Sequence, residues 1–187
     1  SKGIYKSLNC GIGSSDSKKN IKKNIKTVLK KINSKNEKIF LPKQIHSNKF
    51  YLIRKKITNK RIKCDAVITS QKKIPIGILT ADCAPIIIFD PKKIVISVVH
   101  AGWKGAFKGV VKKVITFFKK KGSNIKDLIV VIGPCISVKN YEVKKDFMKK
   151  FLKKSKKNKI YFKFSHNKIF FNLRKYISYQ IKSFGIN

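Results

Sequence analysis

The sequence predicts an α+β fold in which mixed β-sheets are covered by helices within a single domain. Three observations predict it. Two nearly continuous apolar runs flank a cluster of turn residues, several lysine-rich segments carry apolar residues at helical spacing, and the two kinds of segment alternate unevenly, without a strict strand–helix–strand rhythm.

Taken in order, the first helical pattern covers residues 18–32, where Ile21, Ile25, Val28, Leu29 and Ile32 recur on one face and Asp16 or Ser17 stands at the capping position. Short apolar runs at 38–41, 50–53, 65–69 and 74–80 are broken by polar and turn-forming residues, as strands are. The runs at 84–89 and 94–99 are the strongest. Their unbroken apolar character suits strands buried on both faces, with Asp90-Pro91-Lys92-Lys93 as the turn between them.

A second helix is expected over 105–121, with Phe107, Val111, Val114 and Phe118 on one face and Gly122 as its stop. A strand over 128–132 and a helix over 144–153 follow. Residues 160–164 and 168–171 read as a hairpin around Ser165-His166-Asn167, and a last helix covers 173–183. The lysine-rich stretch 153–159 reads as an exposed loop, and no internal repeat is visible.

The chain has 187 residues, 42% of them hydrophobic, which is enough for one sizeable core. Its net charge is +38, and of 46 basic residues only Arg54, Arg61 and Arg174 are arginine. The lysines are spread along the chain and do not form one block. Two readings meet that fact. A nucleic-acid binder gains affinity by releasing counterions from phosphates, but planar, bidentate recognition favours the arginine that is scarce here. Compositional drift explains the joint abundance of Lys, Ile, Asn and Phe, and is the reading preferred over specific nucleic-acid binding. Either way, the charge raises the encounter rate with anionic substrates.

No run is long and apolar enough to span a membrane, and no signal-peptide pattern opens the chain. Cys10, Cys64, Cys83 and Cys135 lack paired spacing, so free thiols in the cytoplasm are expected. Ser1 in place of Met suggests a start further upstream. Oligomeric state is not legible.

Histidine occurs only at 46, 100 and 166. His166 falls at an expected hairpin tip, where a polar turn residue suffices. If the 84–89 and 94–99 strands pair about a centre between Pro91 and Lys92, Cys83 and His100 face each other at a separation suited to two ligands of one metal. His46 would complete a trio. One thiolate and two imidazoles suit zinc, and three protein ligands with a fourth position open mark a catalytic site. On spacing alone, a buried cysteine and ordinary histidines are the better explanation.

Several motifs then follow one another in a recognisable order: Leu8-Asn9, Gln44-Ile45-His46, Cys64-Asp65-Ala66-Val67-Ile68-Thr69, Thr80-Ala81-Asp82-Cys83-Ala84-Pro85, His100-Ala101-Gly102-Trp103-Lys104-Gly105, and Ile132-Gly133-Pro134-Cys135-Ile136 with Tyr141-Glu142-Val143. On these the chain resembles the laccase-domain purine nucleoside phosphorylase family, of YfiH-like fold, over nearly its whole length. The resemblance implies one such domain over 1–187, truncated at both ends.

The resemblance also implies metal ligands at His46, Cys83 and His100, with zinc rather than copper as the ion. The older label of multicopper oxidase requires far more imidazoles than three. Implied partners are a purine nucleoside and phosphate; the activities are phosphorolysis of adenosine, inosine and methylthioadenosine, and deamination of adenosine. Asp82, Cys83 and His100 would be catalytic, Asp82 as a proton carrier or a support to the metal. Asn9, Gln44, Gly102, Trp103, Lys104 and Cys135 would face substrate. The Gly102-Trp103-Lys104-Gly105 turn, between a strand end and a helix start, could hold an anion. From the residues themselves, core packing is the preferred reading of Trp103 and a buried spare thiol that of Cys135.

The main rival is a metal-free cysteine hydrolase or amidase acting on cell-wall precursors, with Cys83 as nucleophile and His100 as its base. Departures from the family pattern include Lys104 in place of a common arginine, Ile25 after Asn24, and the absence of upstream glycine-containing and C-terminal arginine-bearing stretches.

Overall fold

The computed structural model describes residues 1–36, 38–55 and 61–186. Helix α1 (Lys18–Lys31) forms where its apolar spacing predicts, burying Ile21 and Leu29. Ser17 takes the N-cap position without a side-chain cap, and the Asp16 carboxylate accepts instead from the hydroxyl of Ser1 at 2.6 Å and the amide of Asn9 at 3.1 Å.

A five-stranded sheet carries the site. Strands β1 (Phe50–Ile53), β2 (Ala66–Thr69), β3 (Ala84–Asp90), β4 (Val95–Ala101) and β5 (Ile129–Ile132) lie in the order β1-β2-β4-β3-β5, with β1 and β2 parallel and the other neighbours antiparallel. The strands expected over 38–41 and 74–80 reduce to one bridge between Phe40 and Ile76. Pro75 has no N–H to give a ladder, and Leu79 spends both backbone groups on the side chain of Gln44.

The β3–β4 register differs from the predicted one by two residues. Asp90 continues β3 and pairs with Val95, so Pro85, not Cys83, lies opposite His100. The turn keeps the expected four residues but shifts by one, to 91–94: the Asp90 carboxylate accepts the N–H groups of Lys92 and Lys93, both at 2.9 Å, and Ile94 adopts a left-handed φ of 51°. Burial differs as well. β4 is buried on both faces from Ser97 to Ala101, whereas β3 shields one face only and leaves Ile87 45% exposed.

One face of the sheet, with Ile68, Ile86, Ile88 and Val99, packs against the helices; the other, with Ile53, Val67 and Val98, is covered by Phe40 and Cys64. The helix expected over 105–121 is two helices, α2 (Trp103–Phe107) and α3 (Val110–Lys120). Gly109 separates them at φ +79°, a conformation that costs glycine little and other residues more.

A second sheet of β6 (Glu142–Val143), β7 (Phe162–Ser165) and β8 (Lys168–Phe171), in the order β6-β8-β7, packs with α4 (Lys145–Lys154) and α5 (Leu173–Lys182). Phe147, Phe151, Phe162, Phe171 and Tyr176 interlock there, with Phe151 fully buried. The hairpin tip is two residues, His166 and Asn167, both at positive φ, so Ser165 belongs to its strand. Much of the expected loop over 153–159 is a 3-10 helix, Lys156–Tyr161, which also takes the place of the first residues expected in the hairpin. Among the described residues, no helix is long and apolar enough to cross a membrane, and all four cysteines are free thiols.

Candidate metal centre

The antiparallel strands bring three chain segments to one end of the large sheet. His100 is the penultimate residue of β4, Cys83 immediately precedes β3, and Asp65 immediately precedes β2. Extending the β2–β4 register by one residue puts Asp65 beside His100, and the His100 N–H donates to the Asp65 carbonyl at 2.7 Å. Extending the β3–β4 register puts Cys83 opposite Gly102 and diagonal to His100, on the same face. A two-residue shift thus leaves the thiol and the imidazole on one side of the sheet.

His46 arrives from the loop between the bridging Lys43 and β1. Its φ of 54° is left-handed, a conformation unfavourable for a non-glycine residue, and Asp65 holds it there. The buried carboxylate accepts the N–H groups of Ile45 at 3.1 Å, His46 at 2.9 Å and Ser47 at 2.6 Å, and the Ser47 hydroxyl at 2.7 Å. It also accepts Nδ1–H of His100 at 2.9 Å. One carboxylate therefore sets the loop that carries His46 and the ring orientation of His100.

The result is a cluster in which one ligand atom each from His46, Cys83 and His100 lies within 4.8 Å of the others. Cys83 Sγ is 3.9 Å from His46 Nε2, and the two imidazoles meet edge to face with centroids 4.8 Å apart. His100 is buried, Cys83 half-buried and His46 exposed, so the cluster opens to solvent on one side. The donor set fits zinc: a thiolate with two imidazoles, one of them backed by a carboxylate as metal-bound histidines commonly are.

Gly102 makes room for this arrangement. A Cβ there would lie 2.7 Å from Cys83 Sγ and 3.0 Å from His46 Cδ2. Its φ of −69° is open to any residue, so it is the space, not the backbone, that calls for glycine.

Charge is distributed to match. Burial would raise the Asp65 pKa, but the hydrogen bonds from His100, Ser47 and His46 outweigh it and hold the carboxyl at about 2. Burial would lower that of His100, but its bonds to Asp65 and Cys83 raise it to about 9. His46 is held below its ordinary value by burial and by the His100 ring.

The remaining site residues named from sequence divide into two groups. Lys104 is exposed and near enough to His46 to oppose its protonation. Asp82 is exposed, and its carbonyl accepts the Ile136 N–H at 2.9 Å. Cys135 lies in the field of Cys83, and burial raises its pKa. Trp103 packs edge to face on Phe147 at 4.9 Å, with the Lys104 ammonium 5.7 Å from its ring centroid. Since α2 has five residues and begins at Trp103, not Gly105, the expected turn before a long helix is instead the first turn of a short one.

Gln44 and Asn9 are tied elsewhere. The Gln44 amide donates to the Leu79 carbonyl at 2.7 Å and accepts its N–H at 2.8 Å, clamping the His46 loop to residue 79. Asn9 bonds Gly11, Ser14 and Asp16. Two neighbours escaped sequence reasoning as individuals. Tyr141, pushed to about 12 by burial and then by Cys83 and Asp82, lies in the field of the cluster, and Arg174 opposes the upward shift of Cys135 by its charge. Tyr141 stood within a recognised motif, and Arg174 is one of only three arginines.

Comparison with known proteins extends the geometry. The profile of a family described as multi-copper polyphenol oxidoreductase laccase matches residues 1–187. A purine nucleoside phosphorylase of Rickettsia conorii (strain ATCC VR-613 / Malish 7) is 34% identical over 124 residues, 65% of this chain and 51% of its own length. A purine nucleoside phosphorylase of Aquifex aeolicus (strain VF5) is 35% identical over 150 residues, 80% of this chain and 67% of its own length. The chain thus spans about half to two thirds of these curated relatives. The crystal structure of Bacillus licheniformis hypothetical protein YfiH superposes with a TM-score of 0.87 at 21% identity, covering 100% of this chain and 74% of that one, a likeness of fold.

Proposed function

The chain belongs to the multi-copper polyphenol oxidoreductase laccase family, and from that premise we propose that it is a zinc-dependent purine nucleoside phosphorylase of the cytoplasm. Its substrates would be adenosine, inosine and S-methyl-5′-thioadenosine with phosphate, and it would also deaminate adenosine. The observation that carries the reading is the convergence of His46, Cys83 and His100 on one point, with Asp65 behind it. The names of the relatives support the reaction class.

A zinc ion held there supplies a Lewis acid able to polarise a phosphate oxygen or an attacking water. The chain's own residues do the rest. Asp65 fixes the His100 tautomer by accepting from Nδ1, which leaves Nε2 to face the cluster. Lys104 places a cation by the exposed side, where it attracts phosphate as a point charge without an arginine's bidentate grip. Asp82, exposed beside Cys83, holds or delivers a proton to the departing purine. In phosphorolysis a phosphate oxygen bonds C1′ of the ribose as the bond from C1′ to the purine nitrogen breaks.

The test is phosphate-dependent release of adenine and hypoxanthine from nucleosides by zinc-loaded protein, with metal content measured on the same sample. Stoichiometric zinc with turnover is expected. Absence of turnover from zinc-loaded protein overturns the proposal.

A second reading rests on one observation: His100 stands between Asp65 and Cys83, the order of a carboxylate–imidazole–thiol relay. It predicts an amidase or hydrolase activity that survives chelator and is lost on iodoacetamide treatment.

A further inference from the structure

Strand β3 runs between β4 and β5, so the residue just before it can be reached from either side. On the β4 side stands the metal cluster: Cys83 Sγ lies 3.9 Å from His46 Nε2 and occupies the space that Gly102 leaves open. On the β5 side stands a second cysteine. The β3–β5 register pairs Ile86 with Ile132, and two backbone bonds carry it past the ladder. The Gly133 N–H donates to the Pro85 carbonyl and the Ile136 N–H to the Asp82 carbonyl, both at 2.9 Å. Between these bonds the same register sets Cys135 opposite Cys83.

Residues that face each other across an antiparallel pair have Cα atoms about 4.5 to 5.5 Å apart, inside the span of about 4.4 to 6.8 Å that a disulfide bridges. Both residues are half-buried free thiols. By contrast, Cys64 is buried with its thiol pushed up to about 11, and the Cys10 thiol is bonded to the Leu8 carbonyl at 3.4 Å. Cys135 packs against the helical core and is not one of the three residues of the metal cluster. Cys83, at the open side of that cluster, is therefore the partner that moves. A change of χ1 rotamer carries its sulfur from the β4 side to the β5 side. One sulfur cannot serve both neighbours at once.

We infer that Cys83 and Cys135 are a peroxide-sensitive pair that closes into a reversible disulfide, and that closing it withdraws Cys83 from the metal cluster. The second half rests on the reading of that cluster as a metal centre; the first does not. The Cys83 thiolate attacks an oxygen of hydrogen peroxide, the O–O bond breaks and hydroxide leaves, giving a sulfenic acid. The Cys135 thiolate then attacks that sulfur, the S–O bond breaks and a second hydroxide leaves. With the two thiol protons the products are one disulfide and two waters, two electrons having passed from the sulfurs to the peroxide. A dithiol reductant reverses the closure. Cys135 thus spares Cys83 the further, irreversible step to sulfinic acid.

Metal-free and zinc-loaded protein are treated with hydrogen peroxide, the remaining thiols are alkylated in denaturant, and tryptic peptides are read by mass spectrometry. Each cysteine falls in a peptide of its own, Cys83 in 74–92 and Cys135 in 127–139. Metal-free protein is expected to join these two peptides, with Cys10 and Cys64 still alkylated and the link opened by dithiothreitol. Bound zinc should slow the linkage at least about tenfold, because it holds the sulfur on the other side. A chromophoric chelator should register zinc leaving after peroxide, and the reduced protein should take zinc up again. Cys135→Ser should lose that recovery, having no second thiol to trap the sulfenic acid, whereas Cys10→Ser should link as the parent does. The linkage in the unaltered protein does not depend on any variant folding. No link between the two peptides, a link through Cys10 or Cys64 in its place, or full recovery of Cys135→Ser each overturns the inference. A link formed in protein that takes up no zinc supports the disulfide and sinks the metal reading instead.

Discussion

Replacing Asp65 with asparagine keeps the shape of the side chain and removes its charge, so it isolates what the carboxylate contributes. The folded pKa of about 2, against an ordinary 3.8, means that the folded protein binds the ionised form more tightly than the unfolded chain does. At about 1.4 kcal/mol per pKa unit, that difference corresponds to roughly 2 kcal/mol of folding free energy. The amide also turns an N–H₂ edge towards donors from residues 45 to 47 that expect an acceptor. Urea unfolding in chelator, followed by the fluorescence of Trp103, the single tryptophan, should show Asp65→Asn destabilised by about 2 to 3 kcal/mol at pH 7. The pH dependence has a definite sign. A depressed carboxyl pKa gives stability that is complete above 3.8 and lost as pH falls through about 2, so the gap between the two proteins should close over that window. From the partner's side, His100 is raised from 6.5 to about 9, so the pair's contribution is full below 6.5 and lost as pH rises through 9. These shifts describe one interaction and are not summed. A variant within about 0.5 kcal/mol of the parent at pH 7, as for an ordinary surface change, would refute the role given to Asp65.

Gly102→Ala should fold normally, since its φ of −69° suits alanine, yet bind zinc at least about tenfold more weakly, because a Cβ 2.7 Å from Cys83 Sγ forces the sulfur to move by roughly 1 Å; competition with a chromophoric chelator reads this, and unchanged affinity would count against the cluster. Phe151→Ala, at 0% exposure amid five other aromatic rings from α2, α4, the second sheet and α5, should cost about 3 to 5 kcal/mol in urea unfolding while leaving the metal cluster's side chains untouched. Gly109→Ala, at φ +79°, should cost about 1 kcal/mol by the same measurement; no cost would mean that α2 and α3 can join.

What the sequence made legible was what local chemistry decides. Helix α1 follows from its isoleucine spacing, and β3 and β4 from their apolar runs. The cluster of His46, Cys83 and His100 was reached through motifs, because spacing alone favoured an ordinary cysteine and histidines. What stayed hidden depends on partners distant in the chain. Residues 74–80 look like a strand, yet the backbone groups of Leu79 go to the amide of Gln44, 35 residues away, which no local pattern announces. The break at Gly109 was visible as a glycine, but a single glycine inside a helical pattern is common, and only its left-handed φ makes it a boundary.

The register of β3 on β4 shows why a geometric error need not become a functional one. Strand side chains repeat every two residues, so a one-residue slip would have sent Cys83 to the opposite face from His100, whereas the two-residue difference keeps them together. The difference instead changes what lies opposite Cys83. In the predicted register it is His100 itself, and Gly102 has a task only in the anion-binding turn. In the observed one it is Gly102, and the missing side chain is the space into which the sulfur projects. Gly102, read from sequence as part of an anion-binding turn, thereby acquires a second and more local reason to be a glycine: it lets a strand histidine, the cysteine just before the neighbouring strand and a strained loop histidine share one point.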